Sequence, residues 1–181
     1  DLDSVYGGGP GVSPHLYDQS VDRGRTTLLV EEIPGSAAVS LGGTRTDLPR
    51  NSQNVALIGD PRNDENLVVS QLHHALLRFH NRVVADVKAN LPSTVTLEEV
   101  FVEAQRIVRW HYQWLVIHEF LPATVGQKLV RDILRDGRRH YSWRNDPYIP
   151  VEFSVAAYRF GHSQIRPSYR ANFGTSATDT N

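Results

Sequence analysis

Arg62, Asp64 and Glu65 fall within four positions of one another in the run Gly59-Asp60-Pro61-Arg62-Asn63-Asp64-Glu65-Asn66. A guanidinium and two carboxylates can therefore be aimed at one point from the entrance of whatever follows. Pro61 stiffens the approach. A solvated turn accounts for the same charges equally well. The chain also carries eight histidines. His73 and His80 lie seven apart and so share a helical face, but with no paired carboxylate at a ligand interval they make a weak metal site. His111 and His118 repeat that spacing among Trp110, Tyr112 and Trp114, and read as core or interface aromatics.

His162 stands apart through its surroundings, Tyr158-Arg159-Phe160-Gly161-His162. On a helix, Arg159 three residues before it and Arg166 four after share its face. Gly161 inside such a helix costs roughly 1 kcal/mol relative to alanine, and it leaves room for something bulky and flat to approach the backbone. A large planar ligand fits that description. An imidazole bound to iron, with arginines meeting acidic groups on the ligand's rim, would suit haem. A core histidine beside solvated arginines is the competing account.

The elements that must position these groups are mainly helical. From Leu67, the residues Leu67, Leu72, Leu76, Phe79, Val83 and Val87 recur at three to five residues, which predicts a long amphipathic helix with that stripe buried. Thr96-Leu97-Glu98-Glu99 is a capping-box pattern that announces a second helix. Phe101, Ala104, Ile107, Val108, His111, Leu115 and His118 share its face, and Pro122 lies just past its end. A third helix is expected from Thr124 to Asp136, stopped by Gly137. A polar aromatic loop, 138–150, follows. A fourth helix is expected from Val151 to before Pro167. Residues 1–60 carry breaker clusters such as Gly7-Gly8-Gly9-Pro10-Gly11, with short extended runs only at Thr26–Glu31 and Ala37–Leu41. Such a segment cannot hold a core alone and is expected to wrap around the helices. Residues 61–170 form the helical region, and 171–181 a polar tail.

The chain has 181 residues and a formal charge of −1, enough for one domain with a real core and without the basic excess that would attract nucleic acid or anionic lipid. No apolar run approaches the roughly 20 residues that span a bilayer. With no cysteine, disulfides, thiolate metal sites and cysteine nucleophiles are excluded, while the compartment stays open. Methionine is absent as well, and Asp1 opens in mid-motif, so a fragment of a longer chain is expected.

Taken in order, Gly59 to Asn66, then His73, Leu76-Leu77-Arg78 and His80-Asn81-Arg82, then Tyr158 to His162, resemble the animal-type haem peroxidases of the peroxidase–cyclooxygenase superfamily, in a bacterial-looking version. The likeness runs from Asp1 to about Arg170, with Glu103 to Val108 and Glu119-Phe120-Leu121-Pro122 falling where the family has similar segments. It implies a mainly α haem-peroxidase domain with an irregular, loop-rich N-terminal third. By that resemblance Arg62 matches the distal arginine, which stabilises charge as a peroxide O–O bond breaks. Glu65 matches the glutamate that many members join to the haem as an ester, and His162 the proximal iron ligand. Arg159 matches an arginine at the haem edge that meets a propionate. Asp1-Leu2-Asp3-Ser4-Val5-Tyr6-Gly7 resembles the end of a calcium loop, with Asp1 and Asp3 as two of its oxygen ligands.

The resemblance thus implies haem b, a Ca2+ ion, hydrogen peroxide and a small organic or halide donor. The family's distal histidine, the residues beside it and the asparagine behind the proximal imidazole have no counterpart among these residues. Asn66 stands where some mammalian members carry a haem-linked methionine. One alternative is a fatty-acid dioxygenase of the same superfamily, which needs a tyrosine three residues before the proximal histidine. Here Arg159 holds that place, and Tyr158 is turned by about 100° on a helix. A haem-binding or adhesion module without turnover is another alternative, and an ordinary helical domain without a cofactor is the last.

Overall fold

Side chains start both long helices. In the computed structural model, which describes residues 2–20, 25–36, 44–92, 94–143, 145–164, 166 and 168, the Asn66 side chain accepts from the Val69 N–H and opens α2, Leu67–Asn90. Asn66 is thus a helix cap in this chain. Thr96 opens α3, Leu97–Leu115. Its hydroxyl accepts from the Glu99 N–H, and the Glu99 carboxylate accepts from the Thr96 N–H. This is the reciprocal box expected from the sequence, and such a cap contributes about 1 kcal/mol.

Against this pair of helices lies the N-terminal third. It holds α1, Asp3–Tyr6, two three- to four-residue 3-10 turns at Pro14–Leu16 and Pro61–Asp64, and the strands β1, Glu31–Glu32, and β2, Thr46–Asp47. The strands pair antiparallel, Glu31 opposite Asp47 and Glu32 opposite Thr46. So little regular structure cannot bury a face of its own. Its apolar residues Leu2, Val5, Tyr6, Leu16, Tyr17, Leu28 and Leu48 instead join Leu77, Val84 and Val87 of α2 and Phe101, Ala104 and Val108 of α3 in one core cluster. The expected wrapping is what forms. Of the expected extended runs, Thr26–Glu31 contributes the Tyr17–Leu28 bridge and the start of β1, and Ala37–Leu41 lies outside the described residues.

The buried face of α2 differs from the apolar stripe. Leu67 and Leu72 are exposed, and the buried residues are Ser70, His73, His74, Leu77, His80, Val83, Val84 and Val87. The apolar count misplaces the face because three histidines sit in it, and a histidine can be buried when its ring nitrogens find partners. On α3 the expected face is buried only as far as Val108; His111, Leu115 and His118 are exposed.

Helical backbone does not end before Pro122. Val116–Phe120 forms a π turn, Leu121 N–H donates to Val116 O five residues back, and α4, Leu121–Val125, carries Pro122 in its first turn. A proline lacks the N–H and crowds the carbonyl four residues earlier, so it is tolerated at a helix start. The wider π turn, placed directly before it, makes a new start. Gly126, at φ 90°, then breaks the chain, so α5 runs Gln127–Asp136 instead of from Thr124, and Gly137 at φ 82° stops it as expected.

Two compact units result, Asp1–Arg131 and Asp132–Asn181. In the second, α6 covers only Val151–Val155, and after Ala156 the chain continues as a 3-10 helix, Ala157–Gln164. The single helix expected from Val151 to Pro167 is therefore absent among the described residues. Its side chains, Val151, Phe153, Val155, Tyr158 and Phe160 among them, are exposed. A short helix with a glycine and no buried face has little to hold it in the α form. The polar tail, 171–181, lies outside the described residues. Among those described, no helix is long and apolar enough to cross a membrane.

Candidate functional site

The turn that carries Arg62 is built from its own residues. Pro61 presets the first φ, and the Asp60 side chain caps the turn by accepting from the Arg62 N–H at 3.0 Å. The same carboxylate takes the arginine side chain, Nε to Oδ1 at 3.0 Å and Nη2 to Oδ2 at 2.6 Å. Those bonds to Arg62 hold the Asp60 carboxyl down at about 2. Arg62 is 79% exposed, and among the described residues its Nη1 has no partner. The guanidinium is thus gripped along one edge and open along the other, where an anion can meet it.

The neighbours divide their work. Glu65 ends the turn, its N–H donating to Arg62 O at 3.3 Å, and its exposed carboxylate adds to the field that keeps Arg62 charged. Asp64 does not share their point. It forms a two-pronged ion pair with Arg50 at 2.7 and 2.8 Å, which holds its carboxyl below the usual range. Asn63 Nδ2 donates to His73 Nδ1 at 2.9 Å. Upstream, Gly59 N–H donates to Ser4 O at 3.1 Å, which ties the turn to α1. Asp60, Asn63 and Arg50 are structural partners of the turn that the charge count overlooked, although Asp before Pro-Arg is a capping signal.

The α2 histidines have structural partners. His80 Nε2–H donates to Thr26 O at 2.8 Å, because a carbonyl can only accept, so Nδ1 accepts from the Tyr6 hydroxyl at 3.1 Å. Burial pushes His80 down to about 4 and raises Tyr6 above its usual range. With both nitrogens engaged, His80 has none left for a metal. His74 Nε2 meets Thr46 Oγ1 at 3.0 Å. His73 is 3% exposed, burial lowers its pKa, and its Nε2 has no hydrogen-bond partner among the described residues.

Arg159 and His162 belong to the second unit, on the 3-10 helix, and both are exposed. With three residues per turn, positions three apart eclipse one another, so Arg159 stays on the face of His162 while Arg166 falls beyond the helix. No hydrogen bond engages the His162 ring among the described residues, and a Cβ on Gly161 would meet nothing within 4 Å. An imidazole nitrogen free to ligate, open space beside the backbone and exposed apolar neighbours suit a large planar metal-bearing group. Asp3 is exposed, with Oδ1 accepting from the Ser4 N–H at 3.1 Å, and Asp1 lies outside the described residues. No group of three or more metal-ligating side chains occurs among those described. A cleft of about 740 Å³ in the first unit is lined by the Gly7 to Gly11 run, Phe101, Gln105 and Arg109, and Arg62 is not part of it.

Among the described residues the chain is mainly α, with two long helices and little strand. It belongs to the animal haem peroxidase family, whose model matches residues 1–180. Membership implies a haem cofactor. The chain is 38% identical over 115 residues to a peroxidase-like protein of Margaritifera margaritifera, covering 60% of the chain and 14% of that protein. It is 33% identical over 180 residues to the human probable oxidoreductase PXDNL, covering 95% and 12%. With mouse thyroid peroxidase it shares 26% over 176 residues, covering 94% and 19%. The chain thus spans less than a fifth of each of these relatives. All three are animal proteins, so the bacterial-looking form expected from the motifs finds no support in them.

Proposed function

We propose that this chain contributes to a haem peroxidase that reduces hydrogen peroxide and oxidises a small organic or halide donor. The observation that carries the reading is Arg62, whose guanidinium is fixed by Asp60 on one edge and open on the other. Haem, when bound, supplies the iron at which the peroxide bond is cleaved. His162 is the residue that would ligate it, Arg159 the cation for an acidic group at its rim, and Glu65 the carboxylate for an ester to its periphery. Arg62 keeps its proton throughout, so it offers fixed positive charge to oxygen as negative charge develops there, with little reorganisation because Asp60 already holds it. Asp1 and Asp3 would give two of the six to eight oxygens that a calcium ion takes.

The dioxygenase alternative is disfavoured by the 3-10 geometry, in which Tyr158 is turned by about 120° from His162 whereas Arg159 eclipses it. Reconstituting the full-length protein with haem tests the reading. A Soret band is expected, displaced or lost in His162→Ala, together with peroxide-driven oxidation of a phenolic donor. Arg62→Ala should lower kcat/KM for peroxide by about 10²-fold or more with haem still bound, the usual cost of a missing electrostatic stabiliser. Absence of the Soret band, or one unchanged in His162→Ala, would refute the haem assignment. Oxygen uptake on unsaturated fatty acid without phenol oxidation would favour the dioxygenase, and haem binding without either reaction a binding module.

A further inference from the structure

The turn bearing Arg62 is anchored on both sides of the arginine. Before it, Gly59 N–H is bonded to Ser4 O. After it, Asp64 is clamped by Arg50 at 2.7 and 2.8 Å. Two end anchors still leave the segment free to roll about the line that joins them, and a roll would swing a long exposed side chain through several ångströms. The contact that stops it is central. Asn63, next to Arg62, donates to His73 Nδ1 at 2.9 Å, and His73 is 3% exposed on the core face of α2.

We propose that His73 is a positioning residue for Arg62, fixing through Asn63 the direction in which the guanidinium leaves the turn. This rests on the reading of Arg62 given above. Two features single out the imidazole from a filler of the core. Its Nε2 has no partner among the described residues, so burial gains nothing from that nitrogen, and a hydrocarbon would pack the site at lower cost. Its ring also lies within electrostatic reach of Asp60, the carboxylate that grips Arg62. A cationic His73 would compete with Arg62 for that carboxylate. Burial, with His74 alongside, holds His73 neutral against the pull of Asp60, and Asp60 is left to the arginine.

His73→Leu and His73→Asn in the full-length protein separate positioning from packing. Leucine keeps the volume and removes the acceptor; asparagine returns a polar atom near Nδ1. In haem-free protein labelled at arginine Nε, the Arg62 Nε–H that donates to Asp60 should exchange slowly in the parent and in His73→Asn, and rapidly in His73→Leu. After haem is loaded, His73→Leu should lose about tenfold in kcat/KM for peroxide, the scale of a small misplacement, with its thermal midpoint not lowered, and His73→Asn should recover most of the activity. On an Arg62→Ala background the same change should cost nothing more. Should His73→Leu fail to fold, Asn63→Ala removes the same hydrogen bond from the outside and should reproduce both effects. An unchanged Arg62 exchange rate, or a tenfold loss that persists without Arg62, would overturn the proposal. If Arg62→Ala keeps full turnover, the catalytic reading of Arg62 fails, and the exchange rate in haem-free protein still decides the role of His73.

Discussion

His80 is buried with both ring nitrogens hydrogen-bonded, and its environment sets a pH dependence for the first unit. It is fully buried, donates to Thr26 O and accepts from the Tyr6 hydroxyl. Tyr17 in turn donates to Tyr6 O at 2.8 Å, so the imidazole stands at the centre of a network joining α1, α2 and the Thr26 segment. Its neutral form is favoured in the folded state, where the pKa is about 4 against an ordinary 6.5. Between those values the unfolded chain binds the extra proton. Stability is therefore full above pH 6.5 and falls as the pH drops towards 4, by on the order of 3 kcal/mol if the whole shift is expressed. His73 and His74 shift in the same direction and add to the slope. Urea midpoints from pH 7 to 4 should decline steeply in the parent and less in His80→Gln, which starts less stable but has no proton to gain at that position. Equal slopes would show that His80 does not carry the effect.

At the level of elements, Gly59 is where α1 and the Arg62 turn come closest. A Cβ there would stand 2.6 Å from Ser4 O and 2.9 Å from Asp3 O, and both are backbone atoms that cannot swing away. Gly59→Ala should therefore cost about 1–3 kcal/mol, as overpacking does. Chemical denaturation measures it, and a loss under 0.5 kcal/mol would mean that α1 yields freely. That approach could not be read from the chain, because a glycine before Asp-Pro reads as an ordinary turn. What could be read was whatever depends on local chemistry: the Thr96–Glu99 box and the Gly137 stop follow from a cap and a positive φ, while the start of α2 at Leu67 was reached by apolar recurrence and is set in the fold by the Asn66 cap. The face of α2 was less legible, since the hydrogen bonds that make His73, His74 and His80 acceptable inside come from residues 6 to 63. Pro122 and Gly161 misled in opposite ways. A π turn carries the helix through the proline, whereas the segment around the glycine buries no face among the described residues that would hold it in the α form. At the candidate site, Arg62 and Glu65 were visible as charges, but Asp64 was assigned to the same point because its partner, Arg50, lies 14 positions away.

Across the chain as a whole, the core accounts for only part of the apolar surface. On α3 and the turn after it, Arg106, Trp110, Trp114 and His118 recur every four residues and stack in pairs, the guanidinium 4.1 Å from the Trp110 ring centre and the Trp114 and His118 rings 4.9 Å apart. Both tryptophans are more than half exposed. Contacts between neighbours on one helix order these rings without removing them from water, so the ladder keeps most of its hydrophobic free energy unspent. An apolar surface of this kind is where a hydrophobic dye or a second molecule adheres. The 181-residue chain by itself should bind anilinonaphthalene sulfonate while retaining its cooperative unfolding transition. Trp110→Gln combined with Trp114→Gln should cut the bound-dye fluorescence by about half or more and leave the unfolding free energy within about 0.5 kcal/mol, as for exposed substitutions. A fluorescence that does not change would place the adhesive surface elsewhere, and a collapsed transition would mean that the two indoles brace α3 rather than merely coat it.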